Sequence, residues 1–473
     1  METKSKGLFI TPDGRNVVFT FVLVSSLFLL WGLCNGMIDV MDKHFQDELG
    51  LNKSQSAWVQ FAHYLGYFLM AIPAGWLASR LGYKRGIITG LLIVAVGGLW
   101  FIPATNINEM VHMGRVSPTT AFIAFLAGVC AIATGLTFLE TIANPYTTVL
   151  GDQRYAATRI NLAQSCNGIG WIFGPIIGSM YFYGKDAAGH STGSQTLYIP
   201  YAAIAVVVVV LAAIFSVAPV PEIKTEDDYH LDDSSPGVSH SIWTHPHFVF
   251  AVIAQFLYVA AQAGIFSFFI NYMTAEPPAI PESWNTGMAH LSANAGLLQS
   301  WLTGWFELKK AGVLALSNKG ASNLASLGFV CFLIGRFSGA GILRTYSAHK
   351  VLGLYGVMNV LACFLVFLKL GWLSVLCVFL SYFFMSIMFP TIFALGIFGL
   401  GSRAKKASSF IVMAIMGGAI LPKLMGYVAD VYDMSRGFIV PMVCFAFVAF
   451  YGYNWPRFSK ADSLSGVKAT VSH

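Results

Sequence analysis

The chain has 473 residues, a length that would suit about three soluble domains, but its composition argues against a soluble protein. Charged residues make up 11% and hydrophobic residues 56%, whereas ordinary globular domains carry roughly 25% charged residues. The mean hydropathy of +0.66 indicates an integral membrane protein. The net charge of +6 needs no nucleic acid to balance it. The seven cysteines lie in apolar runs without metal-ligand spacing, so we expect no metal site and no cofactor.

Twelve membrane-spanning helices are predicted, because a helix needs about 20 mostly apolar residues to cross a bilayer. The predicted spans are 17–40, 58–80, 86–102, 119–149, 161–183, 199–218, 248–273, 322–343, 351–368, 372–400, 408–430 and 438–453. Nearly twice as many Lys and Arg residues fall on the side of the termini as on the other side. This bias predicts that both termini are cytoplasmic.

The long polar and acidic stretch 219–247 divides the spans into two groups of six. We therefore predict an all-α membrane protein of two six-helix bundles, 1–218 and 248–473, joined by a cytoplasmic linker at 219–247. A repeated pattern after the second span of each group, 74–84 and 340–350, agrees with this division. The second bundle carries a long outer loop at 274–321, in which Leu297–Leu308 is a candidate for a short interfacial helix. The alternative is that the loop is a lid with no role in substrate binding.

Two acidic residues, Asp39 and Glu140, are predicted to lie well inside spans, where an ionised carboxylate costs roughly 2.5–3.5 kcal/mol. Trp31, Asn35 and Asp39 are spaced four apart and share one helix face. An aromatic ring, an amide and a carboxylate on one stripe suit a sugar, whose ring stacks while its hydroxyls form hydrogen bonds. The alternative is that Asp39 is a wetted residue near the outer end of its span.

Glu140 follows a full turn of apolar residues, and Asn144 lies on the same helix face. Pro145 removes a backbone donor and frees a carbonyl nearby, as in helices that line cavities. The alternative for Glu140 is a structural acid that is hydrogen-bonded to a neighbouring helix. Further amides in the spans either line the cavity or hold helices together: Asn161, Gln164, Asn167, Gln255 and Gln262.

Accumulation of a neutral sugar requires a coupled ion, because voltage does not act on the sugar itself. One charge that moves through 100 mV supplies about 2.3 kcal/mol. A carboxylate can carry a proton by alternating between its neutral form, which burial favours, and its ionised form. Asp39 and Glu140 have the chemistry and depth for this role.

Six stretches carry a resemblance to a known family. They are Trp31-Gly-Leu-Cys-Asn-Gly-Met-Ile-Asp39, Leu139-Glu-Thr-Ile-Ala-Asn-Pro145, Arg159-Ile-Asn-Leu-Ala-Gln-Ser-Cys-Asn167, Ala254-Gln-Phe-Leu-Tyr-Val-Ala-Ala-Gln262, Met385-Ser-Ile-Met-Phe-Pro-Thr-Ile-Phe393 and Ser408-Ser-Phe-Ile-Val-Met413. With them the chain resembles the fucose–galactose–glucose:proton symporter family of the major facilitator superfamily. The cytoplasmic loop motif departs from the superfamily pattern, with Ser79 where an Asp is usual.

The resemblance implies a monomeric transporter in the bacterial inner membrane that imports L-fucose or a related hexose with a proton. It assigns proton coupling to Asp39 and Glu140. It places Trp31, Asn35, Gln164, Asn167 and Gln262 in the sugar cavity. Asn144 is a further candidate, because it shares the helix face of Glu140. Phe266 and Phe389 stand where the family has Trp and Tyr, which implies a less polar cavity.

Other functions remain open at this stage. The nearest alternative within the family is a sodium-coupled glucose or galactose symporter. A membrane enzyme and a sugar sensor are less favoured. The eleven histidines show no HExxH spacing, the spans contain no GxSxG, and the tails are too short for an output domain.

Overall fold

A computed structural model shows a mostly helical chain and describes residues 9–10, 14–150, 156–183, 193–220, 241–293, 299–309, 312–343, 346–398, 400 and 404–459. The helices are α1 (Val18–Leu49), α2 (Lys53–Ser56), α3 (Trp58–His112), α4 (Pro118–Val149), α5 (Ala156–Tyr181), α6 (Gly193–Thr196), α7 (Tyr198–Val217), α8 (Pro246–Ser267), α9 (Phe269–Ala275), α10 (Glu282–Ala293), α11 (Gln299–Leu302), α12 (Asn318–Leu343), α13 (Ala348–Phe367), α14 (Trp372–Met385), α15 (Met388–Ile397), α16 (Ala404–Met413), α17 (Gly417–Val431), α18 (Met434–Gly437) and α19 (Ile439–Ser459). Strands β1 (Phe306–Leu308) and β2 (Leu314–Leu316) pair antiparallel.

Ten helical stretches among the described residues are long and apolar enough to span a membrane. The other two predicted spans, 58–80 and 161–183, correspond to the first arm of α3 and to α5. Spans two and three join within α3 at Gly82, where φ is 79° and ψ is 171°. That left-handed backbone favours glycine, so this residue allows the chain to turn from one span into the next.

Two helices extend beyond their predicted ends. α1 continues past Val40 to Leu49, and α3 continues past Ile102 to His112. The prediction ended each span where polar residues begin. A helix, however, satisfies its own backbone hydrogen bonds and continues until a stop such as Gly50, which has a φ of 64°. The extension of α1 carries several polar side chains into the packed protein.

The predicted interfacial helix at 297–308 is wrong. Within the described residues of that stretch, only α11 is helical, and the chain then turns at Gly304 (φ 76°) into β1. Pairing of β1 with β2 provides the backbone hydrogen bonds that a continued helix would otherwise have formed. The longer helix of this loop is α10, and an apolar cavity beneath it is lined by Trp284, Trp305 and Trp372 among others.

The helices before residue 218 pack mainly with one another, as do those after residue 246, and α5 packs against α12 across this division. We refer to the helix ends on the side away from Val18 of α1 and Ser459 of α19 as the distal end. There, the Asp430 carboxylate of α17 accepts hydrogen bonds from the backbone N–H groups of Lys53 and Ser54, at 3.1 and 2.9 Å. The amide of Asn271 donates to Gln46 Oε1 at 2.6 Å. These distal contacts join the two groups of helices.

Glycines bring α1 and α5 into backbone contact. A Cβ atom built on Gly32 would lie 2.0 Å from the backbone oxygen of Asn167, and one on Gly170 would lie 2.2 Å from the oxygen of Leu29. Such close approach is typical of small residues at membrane helix contacts. The Asn167 side chain adds a hydrogen bond to the Phe28 carbonyl at 3.3 Å.

We expect Gly32→Ala to destabilise the protein by about 1–3 kcal/mol, because the added methyl group forces α1 and α5 apart. The measurement is the thermal unfolding midpoint in detergent. Gly287→Ala in α10 is the matched control, since a Cβ there meets nothing within 4 Å and alanine favours a helix. Equal midpoints for the two variants would contradict the close packing of α1 and α5.

Candidate functional site

Trp31 and Glu140 line the same small internal pocket between α1 and α4, together with Leu27 and Phe28. The indole Nε1 of Trp31 donates a hydrogen bond to the hydroxyl of Tyr67 on α3. That hydroxyl also interacts with the Glu140 carboxylate. Glu140 therefore faces the interior of the helix bundle, next to an aromatic surface, and not the lipid.

Asp39 lies on α1, two helical turns after Trp31, and is buried away from the pocket of Glu140. Asp39 is 6% exposed, and its Oδ1 accepts a hydrogen bond from Gln60 Nε2 of α3 at 2.9 Å. The alternative of a wetted Asp39 is therefore wrong, because the continuation of α1 to Leu49 keeps this turn inside the packed protein.

Asp42 is a third buried acid, so the prediction that only two acids lie well inside the spans is wrong. The residue is 0% exposed, and it lies three positions after Asp39, so the two carboxylates share one side of α1. The predicted end of the span at Val40 had placed Asp42 in the outer loop. The helical spacing of Asp39 and Asp42 was the feature of the sequence that could have indicated that Asp42 is buried as well.

A polar stripe on α3 was also missed. Gln60, His63, Tyr64 and Tyr67 follow helical spacing within a mostly apolar span. The His63 ring centroid lies 5.0 Å from that of Tyr67 and 4.9 Å from that of Tyr64. Gln60 donates a hydrogen bond to Asp39, and Tyr67 contacts both Trp31 and Glu140. The stripe therefore runs from Asp39 to the pocket of Trp31.

The predicted amides differ in what they contact. Asn35 is buried and lies beside Tyr67, next to the pocket of Trp31. Asn167 is buried and bonds to the α1 backbone, as expected for an amide that holds helices together. Gln164 and Gln262 are half-buried. The side chain of Asn144 lies outside the described part of the structure.

Phe266 lies in an aromatic cluster between the two groups of helices. Its ring centroid is 5.5 Å from Trp171 of α5, 4.9 Å from Phe329 of α12 and 4.6 Å from Tyr382 of α14. Phe389 of α15 is half-buried against the core. The apolar character predicted from Phe266 therefore takes the form of aromatic packing between the two groups of helices.

These groups combine two chemical capacities. The Trp31 ring and the Asn35 amide offer stacking and hydrogen bonds to a polyol, while the carboxylates of Asp39 and Glu140 can each carry a proton. Both sets lie within the helix bundle, where Tyr67 contacts Trp31 and Glu140 and Gln60 bonds to Asp39. The site therefore suits coupled binding of a neutral solute and a cation.

Comparisons with known proteins agree with this geometry. A sequence pattern described as the Major Facilitator Superfamily matches residues 19–422. The L-fucose-proton symporter of Escherichia coli is 32% identical, covering 92% of this chain and 93% of that protein. A glucose/galactose transporter of Brucella abortus is 30% identical, covering 93% of this chain and 95% of that protein.

Solved structures show the same fold. The crystal structure of the Escherichia coli fucose:proton symporter matches with a TM-score of 0.62 and 31% identity, over 93% of this chain and 99% of that one. The structure of a D-xylose-proton symporter matches with a TM-score of 0.67 at 12% identity, over 94% and 99% of the two chains. The second match bears on the fold alone.

Proposed function

Because this chain belongs to the Major Facilitator Superfamily, we propose that it imports L-fucose or a related hexose by proton-coupled alternating access. It is a multi-pass membrane transporter and not an enzyme. The observation that carries the proposal is the placement of the Trp31 ring and the Glu140 carboxylate in one internal pocket, linked through Tyr67. A sugar ring that stacks on Trp31 would lie beside a group able to hold a proton.

In the proposed cycle, a protonated Glu140 is neutral and tolerates enclosure, which favours the closed state that carries the sugar. When the site opens to the cytoplasm, water stabilises the ionised carboxylate and the proton leaves. Asp39 takes part in the same proton transfer through the α3 stripe, where Gln60 holds its carboxylate. The energy released by the proton then drives the sugar inward.

The proposal includes the orientation and state of the protein. The excess of Lys and Arg on the side of the termini supports cytoplasmic termini. The distal contacts then lie on the outer side, so the structure is closed toward the outside. We propose a monomer in the bacterial inner membrane, since one chain contains both halves of the site.

Uptake into proteoliposomes tests the function. With an imposed pH gradient, acidic outside, we expect labelled L-fucose or a related hexose to accumulate, and a protonophore should abolish this accumulation. Thermal stabilisation of the purified protein across a panel of hexoses identifies the sugar, because a ligand that binds only the folded state stabilises it. Absence of both sugar flux and sugar stabilisation would refute the proposal.

Glucose or galactose is the second candidate substrate. The Brucella abortus relative, which is 30% identical to this chain, is named as a glucose/galactose transporter. Preferential stabilisation by galactose or glucose in the same panel would select this alternative over L-fucose.

A further inference from the structure

An apolar cavity lies beneath α10, at the distal end of the second group of helices. Its volume is about 520 Å³, within the range of roughly 300–1,000 Å³ that small-molecule sites occupy. α12 contributes Leu324 and Leu327 to its wall, and α14 contributes Trp372, Val375 and Phe379. Among the described residues that line the cavity, none carries a charged side chain. Such a space offers water few hydrogen-bonding partners, so it suits an apolar occupant.

α10 is an amphipathic helix whose apolar face lines this cavity. Trp284, Gly287, Met288 and Leu291 follow the i, i+3, i+4, i+7 spacing of one helix face, and all of them line the cavity. Trp284 and Leu291 nevertheless remain 51% and 60% exposed, and a Cβ atom built on Gly287 meets nothing within 4 Å. The part of the chain that the structure describes therefore does not cover the apolar face of α10.

Contacts of the outer loop hold α10 over the ends of α12 and α14. Pro278, in the segment before α10, packs against the start of α14, where a Cβ atom built on Gly371 would lie 3.2 Å from the Pro278 Cγ. The backbone N–H of Ile280 donates a hydrogen bond to the Leu314 carbonyl of β2 at 2.9 Å, and β2 leads into α12. The loop is thus anchored to both spans, and the cavity is enclosed between them and α10.

The wall of the cavity continues into the surface that faces the bilayer. Leu327 is exposed, and so is Ile334, which follows it by seven residues on the same face of α12. On α14, Trp372 and Leu376 are both exposed at a spacing of four. Because α12 and α14 are spans, these exposed side chains contact lipid. The ring centroids of Trp284 and Trp372 are 5.3 Å apart, and paired tryptophans of this kind are typical of the membrane interface.

We propose that the cavity beneath α10 binds an acyl chain of a phospholipid from the distal leaflet. The bilayer is the apolar medium beside α12 and α14, so a lipid chain enters the cavity without crossing water. Phe379 lies seven residues beyond Trp372, so the cavity extends about 10 Å along α14, a direction that suits an extended chain. The bound chain buries the apolar face of α10 and holds the outer loop on the second group of helices. The site is independent of the transported sugar.

Photo-crosslinking locates the acyl chain. The protein is placed in nanodiscs of phosphatidylethanolamine and phosphatidylglycerol that contain a phospholipid with a diazirine near the middle of one acyl chain. After illumination, mass spectrometry identifies the labelled residues. We expect labels on Met288 and Leu291 of α10 and on Phe379 of α14, in addition to the labels that a lipid-facing residue such as Ile334 acquires. Labels confined to the lipid-facing sides of the spans, with none on α10, would overturn the proposal.

Gly287→Leu tests the cavity itself, because the added side chain occupies the space that the acyl chain requires. Leucine favours a helix over glycine, so we expect the variant to fold. Labelling of α10 should fall about fivefold or more, because a filled pocket no longer encloses its ligand, while labelling of Ile334 stays unchanged. The matched control is Gly341→Leu at the other end of α12, where a Cβ atom also meets nothing within 4 Å. Equal labelling of α10 in Gly287→Leu and the wild type would contradict the assignment.

Thermal unfolding in detergent gives a second measurement. Added phosphatidylglycerol or phosphatidylethanolamine should raise the unfolding midpoint of the wild type and of Gly341→Leu, because a ligand of the folded state stabilises it. The rise should be smaller for Gly287→Leu. Equal rises for all three proteins would overturn the proposal. If α10 takes no lipid label and the wild type forms dimers in nanodiscs that Gly287→Leu does not form, the face binds a second copy of the chain and the lipid assignment is wrong.

Discussion

Glu140→Gln is expected to abolish uphill sugar accumulation while retaining sugar exchange across the membrane. Glutamine resembles the protonated carboxyl in size and charge, so the closed, sugar-carrying state still forms. The side chain can no longer release a proton, and the cation gradient is uncoupled from the sugar. Because 100 mV supplies about 2.3 kcal/mol per charge, the accumulation ratio should fall from roughly 50-fold to unity.

Two assays on the same proteoliposomes check this result: counterflow of labelled against unlabelled sugar, and accumulation under a pH gradient with an imposed potential. Glu109→Gln serves as the control, because that acid is exposed on α3. Full accumulation by Glu140→Gln would remove this residue from the coupling mechanism. If the variant loses both counterflow and accumulation, Glu140 is instead assigned to sugar binding.

Asp430→Ala is expected to open the distal end. The Asp430 carboxylate accepts two backbone hydrogen bonds and lies 3.4 Å from the Lys53 ammonium. A hydrogen bond to a charged group contributes roughly 1.5–3 kcal/mol. The loss of these contacts should therefore shift the closed-to-open equilibrium by about tenfold or more toward opening.

Spin labels on two exposed distal positions, Glu109 in α3 and Leu370 before α14, report this change as a longer distance in double electron–electron resonance. Replacement of the native cysteines allows specific labelling. Lys43→Ala is the control, because Lys43 pairs with Asp47 on the same helix and not across the interface. Identical distance distributions for Asp430→Ala and wild type would show that Asp430 does not hold the distal end closed.

The sequence was sufficient to predict a helical membrane protein and the two polar helix faces that carry Trp31 and Glu140. Hydropathy and residue spacing identify spans and helix faces, and a carboxylate in an apolar span must face the protein interior. Glu140 was therefore identifiable without a structure. The same reasoning placed Asn35 beside the Trp31 pocket, where it contacts Tyr67.

Asp42 shows why the rest could not be predicted in this way. Hydropathy places a span boundary where polar residues begin, but burial also depends on what packs against the helix. Here Gln60 of α3 bonds to Asp39, while Ser56 of α2 and Asn271 of α9 bond to Gln46. The cover therefore comes from tertiary contacts, which hydropathy does not report. The contact of Gln60 with Asp39 is likewise tertiary, although the spacing of the α3 stripe was visible in the sequence.

The aromatic cluster of Trp171, Phe266, Phe329 and Tyr382 has a kinetic consequence. Its rings come from both sides of the interface, so a protein that alternates its access must separate and repack them in each turnover. The work of parting these faces then contributes to the activation barrier. Since that work is lost dispersion contact and hydration of apolar rings, this part of the barrier should respond to temperature far more than to ionic strength.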